Sequence, residues 1–585
     1  MKKWKILNEL RIKNHELRIE DITKILLENR EIITKKEIKG FLNPRFEDVT
    51  VDSVGINNAQ LKKALSRIKL AIKNKEKIVV FGDYDVDGIC GTAILWETLN
   101  SLGAKVMPYI PHRIDEGYGL SIAGIKNVIL NLFQDPKGQS KEMLKQVQHD
   151  KSKKLIITVD NGIVANKAVE FANNQGIDVI ITDHHVPSKK LPDAFAIVHT
   201  TKLCGAGVAY LLAQELKIKN EKLKISEDKH LELVALATVA DLVPLKGANR
   251  TLLKFGLEAL GRTKRVGLLE LFKEAGLPKD SIGVYEIGHM IAPRLNAMGR
   301  LEYAMDSLRL ICTNNQKRAE NLARLLGSTN KERQDLTLQT VLHATQAIRD
   351  STSLKLRGAS KKSELKKLLF ISHETYEQGV IGLVAGKLVD EFYRPSIVVS
   401  IGEKTSRASA RSISGFNIIE FIRKHSQYLV DAGGHPMAAG FTVETAKLLE
   451  LQIVLEKKAD ASIKKDLLIR SLKIDCELSL SFVDLNLYES LQKLSPFGMG
   501  NPEPTFLSRN VLVEDMRLVG KEGKHIKLKI KNQKSNITLE GIGFGMGETA
   551  KINIGDKADV VYTIDENEWN GEKKLQLKVK DIKRV

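Results

Sequence analysis

"KIVVFGDYDVDG", Lys77 to Gly88, runs a short β-branched stretch into three aspartates at alternate positions and closes on a glycine. As a calcium loop starting at Asp83 it would set Asp85, Asp87 and Gly88 at the third, fifth and sixth positions. The twelfth position of such a loop must be a chelating glutamate, and here it is Ile94. The residues before Asp83 also lack the amphipathic helical pattern that an EF-hand requires. The stretch reads instead as a strand ending in an acidic turn.

The pattern recurs twice. "KLIITV" (154–159) runs into Asp160, and "DVIIT" (178–182) runs into Asp183, His184 and His185. Helical sequence follows the β-runs at "GTAILWETLNSLG" and "ANKAVEFANNQG". Such alternation predicts an α/β domain with a parallel sheet, whose ligands gather beyond the carboxyl ends of the strands. The three endings therefore point to one crevice. Carboxylates with one or two imidazoles and no thiolate suit Mn²⁺ or Mg²⁺ better than structural zinc. Packed carboxylates also repel one another unless divalent cations compensate them. A single Asp after a strand is most often a helix cap; three such endings in one unit argue for a metal site. Asp241, in "LATVADLVP" after a helical run, carries little weight alone.

The whole chain sets the limits around this site. Its 585 residues are enough for several domains. The formal charge of +19 fits either a nucleic-acid partner or a lysine-rich proteome, and charge alone does not choose between them. The N-terminus has no continuous apolar run, and "LELVALATVADLVPL" (231–245) is short and carries Glu232 and Asp241, so neither secretion nor a membrane span is expected. Cys90, Cys204, Cys312 and Cys476 form no zinc spacing, which suits a reduced, cytoplasmic protein.

Five regions follow from the pattern: a helical lead-in (1–50), the first α/β domain (51–250), a helical connector (251–350), a second α/β domain (351–465) and a C-terminal β-barrel (466–585). The polar stretch at about 128–154 reads as a surface insertion with no catalytic role. In the barrel, "HIKLKIK" sets Ile526, Leu528 and Ile530 on one face and Lys527, Lys529 and Lys531 on the other.

"DYDVDG", "VDNG", "DHH" and "TVADLVPL", in that order, resemble the four motifs of the DHH phosphoesterase superfamily. "CGAGVA" (204–209), "PRLNAMGRL" (293–301), "SARS" (409–412), "GGHPMAAG" (433–440) and "PFGMGNPEP" (496–504) are similar to its RecJ family of single-strand-specific DNA exonucleases. The resemblance implies a DHH domain, a DHH-associated domain and an oligonucleotide-binding (OB) barrel. It implies 5′-to-3′ hydrolysis of single-stranded DNA to mononucleotides in repair and recombination. Asp83, Asp85, Asp87, Asp160, His184 and Asp241 are then ligands of two Mn²⁺ or Mg²⁺ ions. His185 faces the scissile phosphate, and Asp183 orients the imidazoles; together with Asp160 these are the catalytic residues.

By the same resemblance Arg113, Ser409 and Arg411 capture the 5′ phosphate, where a guanidinium fork with a hydroxyl suits the extra charge. Arg294, Arg300 and His435 hold neighbouring phosphates, and Arg407 joins the binders. The two α/β domains are expected to face each other across a cleft too narrow for a duplex. A monomer is expected, working with a helicase and a single-strand-binding protein and with no membrane partner. The chain departs from the family pattern at Tyr376-Glu377, where Trp-His is usual, and in the short stretch 186–203. Two rival readings are a DHH phosphodiesterase for short oligonucleotides or cyclic dinucleotides and a non-catalytic single-strand-binding relative. Chain length and "PFGMGNPEP" speak against the first, and the complete ligand set against the second.

Overall fold

The computed structural model describes residues 2–8, 18–113, 115–117, 119–133, 154–218, 229–353, 365–533, 535–548, 550–569 and 572–585. Backbone contacts divide the chain into two compact units. One comprises Trp4–Gly299, Tyr303–Arg324 and Lys473–Val585, and the other Met1–Lys3, Arg300–Glu302 and Leu325–Leu472.

The first unit contains the expected parallel sheet. Its strands are β1 (Lys77–Phe81), β2 (Lys105–Tyr109), β3 (Lys154–Val159), β4 (Ile177–Asp183) and β5 (Ala196–His199). Their spatial order is β2-β1-β3-β4-β5, and every pairing is parallel. Val79, Phe81, Ile156, Val179 and Ile181 form one buried layer with Ile125 and Val169 of the helices on that face. Ile78, Val80, Ile157 and Ile180 alternate to the other side and are equally buried. Burial on both faces is why the strands read as unbroken apolar runs. Helices α1 (Val86–Ser101) and α2 (Gly205–Ile218) lie against the sheet, and α3 (Leu231–Ala240) packs on both. The chain winds outward from β1 to β2, then returns to the other side of β1 to lay down β3. Winding therefore reverses between β1 and β3, and in such open sheets that switch point is where ligands bind.

The stretch expected as a helical connector (251–350) contains a long helix, α4 (Gln316–Ser353). The second unit holds β6 (Leu369–His373), β7 (Ser396–Ser400), β8 (Thr405–Arg411), β9 (Leu429–His435) and β10 (Ala438–Glu444), with α5 (Ile381–Phe392) after β6. The sheet order is β9-β10-β8-β7-β6, parallel only between β6 and β7. Ala408 and Ala410 of β8 enter a core with Phe441, Val443 and Leu451. Arg407, Ser409 and Arg411 alternate to the opposite face.

The C-terminal barrel, in the first unit, consists of β11 (Phe506–Val519), β12 (His525–Lys531), β13 (Thr538–Gly543), β14 (Lys557–Trp569) and β15 (Glu572–Arg584). The order β11-β12-β13-β15-β14 closes through pairing of β14 with β11. Ile526, Leu528 and Ile530 are buried, as their alternation requires. The opposite face is less cationic than its lysines suggest, because Lys527 lies 2.7 Å from Glu540 and Lys531 lies 3.1 Å from Glu514. Of the lead-in, a short strand (Lys3–Ile6) and helices Ile19–Asn29 and Lys35–Leu42 are described. Ile22, Leu26 and Phe41 of those helices share one core with Leu487, Phe506 and Val513. Most of the 128–154 insertion lies outside the described residues. Among the described residues no helix is long and apolar enough to cross a membrane.

Candidate active site

The ends of β1, β3 and β4 bring their polar residues together at the switch point. After β1 the Asp85 side chain caps α1, its Oδ1 accepting from the Gly88 amide at 3.1 Å. A Cβ on Gly88 would stand 2.6 Å from that of Asp83, so only glycine lets the helix start this close to the strand end. Asp87, in the first turn of α1, accepts from the amides of Gly205 and Ala206, both at 2.6 Å, and so ties the start of α2 to the site. Asp160 leaves β3 in the left-handed region at φ 62°, a conformation that Asp tolerates better than most residues. Beside it, Asn161 Nδ2 donates to the carbonyls of Val159 (2.8 Å) and Phe81 (3.3 Å), fastening β3 to β1.

Ligand-type atoms converge in three overlapping groups, each within 4.8 Å: Asp83, Asp85 and Asp160; Asp87, His184 and Asp241; and Asp160, His184 and His185. His184 Nε2 is the hub, 3.0 Å from Asp160 Oδ1, 3.6 Å from Asp241 Oδ2 and 3.7 Å from Asp87 Oδ2. Neither His184 Nε2 nor Asp160 Oδ1 makes a hydrogen bond, although both are buried. A ring nitrogen and a carboxylate oxygen this close together, both buried and without a hydrogen-bond partner, form a donor set that a cation fits.

The electrostatics agree. Burial, and after it the charge of Asp85, raises Asp83 well above the carboxylate range and Asp87 to about 7. Burial and the charges of Asp87 and Asp85 do the same to Asp160, and lift Asp241 to about 9. Burial, then the charge of His185, lowers His184 to about 4, so its imidazole is neutral and its short carboxylate distances are not ion pairs. His185 differs. Burial opposes its charge, but the hydrogen bond and charge of Asp183 outweigh burial and raise it to about 9. Asp183 Oδ1 accepts from the His184 amide (2.7 Å), the His185 amide (3.1 Å) and His185 Nδ1 (2.8 Å), while Oδ2 accepts from Ile163 N at 2.9 Å. Asp183, which is in none of the three groups, fixes the loop and the imidazole.

Of the expected phosphate binders, Arg113 lies near the cluster, its guanidinium 5.2 Å over the Tyr84 ring. Arg294 is in the same unit and donates Nη1–H to the Met290 carbonyl at 2.7 Å. The others belong to the second unit. Arg411 Nη1 donates to Ser409 Oγ at 3.2 Å, Arg300 Nη1 to the Gly379 carbonyl at 3.2 Å, and Arg407 Nη1 to Gln378 Oε1 at 3.2 Å. A Cβ on Gly382 would stand 2.9 Å from Ser409 Oγ and 3.1 Å from Arg411 Nη2, so these side chains abut the first turn of α5. His435 ends β9 and is exposed. Tyr376 is buried, with its hydroxyl 2.8 Å from His343 Nδ1.

A family model described as the DHH family, N-terminal domain, matches residues 77–238. A DHHA1 domain model matches residues 365–461, and a RecJ OB domain model matches residues 474–581. The single-stranded-DNA-specific exonuclease RecJ of Bacillus subtilis is 36% identical over 578 residues, covering 97% of this chain and 68% of that protein. The chain belongs to the RecJ family. The RecJ of Thermus thermophilus is 30% identical over 532 residues, covering 90% of this chain and 71% of that protein. A crystal structure of RecJ from Thermus thermophilus in complex with Mn²⁺ superposes with a TM-score of 0.78 at 26% identity, covering 100% of this chain and 80% of that one. Membership bears out the resemblance and the α/β, DHH-associated and OB-barrel architecture read from the sequence.

Several contributors to the RecJ-like site were not singled out in the sequence. Asn161 stands in "VDNG" and the Gly205 and Ala206 amides in "CGAGVA", so the motifs contained them while their roles needed the third dimension. Asn296 accepts the Val86 amide at 2.9 Å, and His199 Nε2 lies 2.7 Å from the His185 carbonyl. Asn296 stands in "PRLNAMGRL", so that motif contained it too, whereas nothing in the one-dimensional pattern marks His199.

Proposed function

We propose that this chain is a metal-dependent exonuclease that removes mononucleotides from the 5′ end of single-stranded DNA in the cytoplasm, in repair and recombination. The buried, unbonded pair of Asp160 Oδ1 and His184 Nε2, set among carboxylates at the sheet's switch point, carries the reading. Asp83, Asp85, Asp87, Asp160, His184 and Asp241 would hold two Mn²⁺ or Mg²⁺ ions. When bound, such a pair supplies Lewis acidity toward the phosphate and an activated water.

The chain's own residues do the rest. His184, neutral at physiological pH, offers a lone pair. His185, held by Asp183, presents a positive ring to the phosphate and keeps a proton for the departing oxygen. Asp87 binds the start of α2 through two amides and so keeps Asp160 and the "CGAGVA" turn in place. In the second unit Ser409 and Arg411 set a hydroxyl beside a guanidinium, chemistry that suits a terminal phosphate. Arg113, Arg294, Arg300, Arg407 and His435 take the neighbouring phosphates. A helicase and a single-strand-binding protein are the expected partners, supplying and presenting opened strands to a monomer.

The test offers 5′-phosphorylated single strands, duplexes, dinucleotides and cyclic dinucleotides with Mn²⁺ or with EDTA. Stepwise mononucleotide release from single strands, abolished by EDTA, is expected. Cleavage confined to dinucleotides, or binding without turnover, would overturn the reading.

A further inference from the structure

Aromatics are only 5% of the chain, and among the described residues three of them are exposed: Tyr285, Tyr303 and Phe544. Each has a histidine ring against it. Tyr285 stacks on His289 (centroids 4.4 Å apart, planes at 19°), Tyr303 stacks on His112 (4.8 Å, 30°), and Phe544 meets His525 edge-on at 5.3 Å. An aromatic side chain left in water gains little from folding, so a supported, solvent-facing ring invites a ligand with a π-face of its own.

Tyr303 is the one whose neighbours lead to the acid cluster. It is 61% exposed, and its support is hydrogen-bonded in turn. His112 Nδ1 lies 2.7 Å from Asp115 Oδ2, and the His112 amide donates to Glu116 Oε1 at 2.9 Å. Glu116 is itself held by the Tyr109 hydroxyl at 2.6 Å. The next residue, Arg113, lies over the ring of Tyr84, which stands between Asp83 and Asp85. The segment carrying Tyr303 reaches Tyr84 as well. A Cβ on Gly299 would stand 2.4 Å from the Tyr84 carbonyl oxygen. Tyr303 is four residues on from Gly299, a reach of at most about 14 Å.

We propose that Tyr303, backed by His112, is a stacking platform for one nucleobase of the single strand held at the acid cluster. The proposal rests on the exonuclease reading above and adds a base contact to it. Stacking on a π-face is indifferent to base identity, so the platform would position the strand without selecting a sequence.

The experiment uses the full chain with Mn²⁺ and 5′-phosphorylated single strands carrying one abasic residue at successive positions. In the wild type one position should raise KM roughly 5- to 100-fold, the range expected for losing one stacked base, with kcat nearly unchanged. Tyr303→Ala should raise KM by a similar factor on intact DNA and should lose the sensitivity to that abasic position. Tyr303→Phe and Tyr303→Trp, which keep the ring, should restore both. If Tyr303→Ala shows the wild-type KM and the wild-type abasic profile, the platform is refuted and the exonuclease reading stands. If the wild type fails to degrade single strands at all, the exonuclease reading itself falls and the platform with it.

Discussion

Two buried clusters of charge lie in the same unit and obey opposite rules. Around Arg265 the acids are bonded directly to a cation: Nη1 and Nη2 meet Glu97 at 2.6 and 2.9 Å, Nε meets Glu232 at 2.6 Å, and His230 Nε2 lies 2.9 Å from Glu97. Burial alone would raise Glu97, but His230 and Arg265 outweigh it and hold the carboxyl far below its usual range. In the acid cluster Asp83, Asp87 and Asp160 are buried and Asp241, at the end of α3, is half-buried, while the positive ring of His185 is bonded to Asp183 instead, and all four are pushed up. The first cluster is complete as folded, whereas the second is an arrangement whose stability depends on what it binds. That asymmetry separates a structural charge network from a functional one without reference to any relative.

The sharpest way to break the comparison is to remove one charge from each cluster. Asp160→Asn should lower hydrolysis of single strands roughly 10⁴-fold while DNA affinity stays within a few-fold, since it deletes the hub's nearest oxygen and no fold contact. A gel-based turnover assay with a parallel binding titration checks this, and equal loss of both would make Asp160 structural. Arg265→Met should do the reverse. It strands Glu97 and Glu232 in the interior and should cost roughly 3–5 kcal/mol in denaturant unfolding, with activity lost only as the fold is lost.

A smaller effect separates the two histidines of the functional cluster. In the metal-free protein His185 should titrate by NMR near 9. In Asp183→Asn it should fall toward the unperturbed value of about 6.5, because the bond and charge that outweigh burial are gone. An unchanged titration would show that Asp183 does not govern the ring.

The smallest effect is in stability against pH. Asp87 and Asp241 have folded pKa values of about 7 and 9, above the unfolded value of about 3.9. Their contribution is therefore complete below the unfolded pKa and is lost as pH rises through 7 and then 9. His185, raised to about 9, loses its contribution in the same direction above about 6.5. His184, lowered to about 4, works oppositely, but only between about 4 and 6.5. The metal-free melting temperature should thus fall between pH 6.5 and 9, and Mn²⁺ should flatten that fall. A rising melting temperature across this window would contradict the electrostatic picture.

The site was legible because its chemistry follows from strand periodicity. Apolar runs leading into Asp83, Asp160 and Asp183 argue for parallel strands with neighbouring ends, so residues far apart in the chain share a crevice; Asp241, after a helical run, came only with the family resemblance. Long-range pairing was less legible. The lysine face of β12 is partly neutralised by Glu514 and Glu540, which reach it from the flanking strands β11 and β13. Ile22 and Leu26 pack with the C-terminal barrel although they lie at the other end of the chain. The left-handed turn at Asp160 depends on where α2 begins, since a Cβ on Gly205 would stand 2.6 Å from the Asp160 Cβ. These are facts of partnership, and no local pattern encodes a partner.

The most direct measurement is calorimetric titration of the metal-free chain with Mn²⁺ at pH 7.5, repeated in buffers of different ionisation enthalpy. Two ions per chain, bound with release of protons from the elevated aspartates and largely lost in Asp160→Asn, is the predicted result. An isotherm showing no saturable binding, or one that Asp160→Asn leaves unaltered, would contradict it.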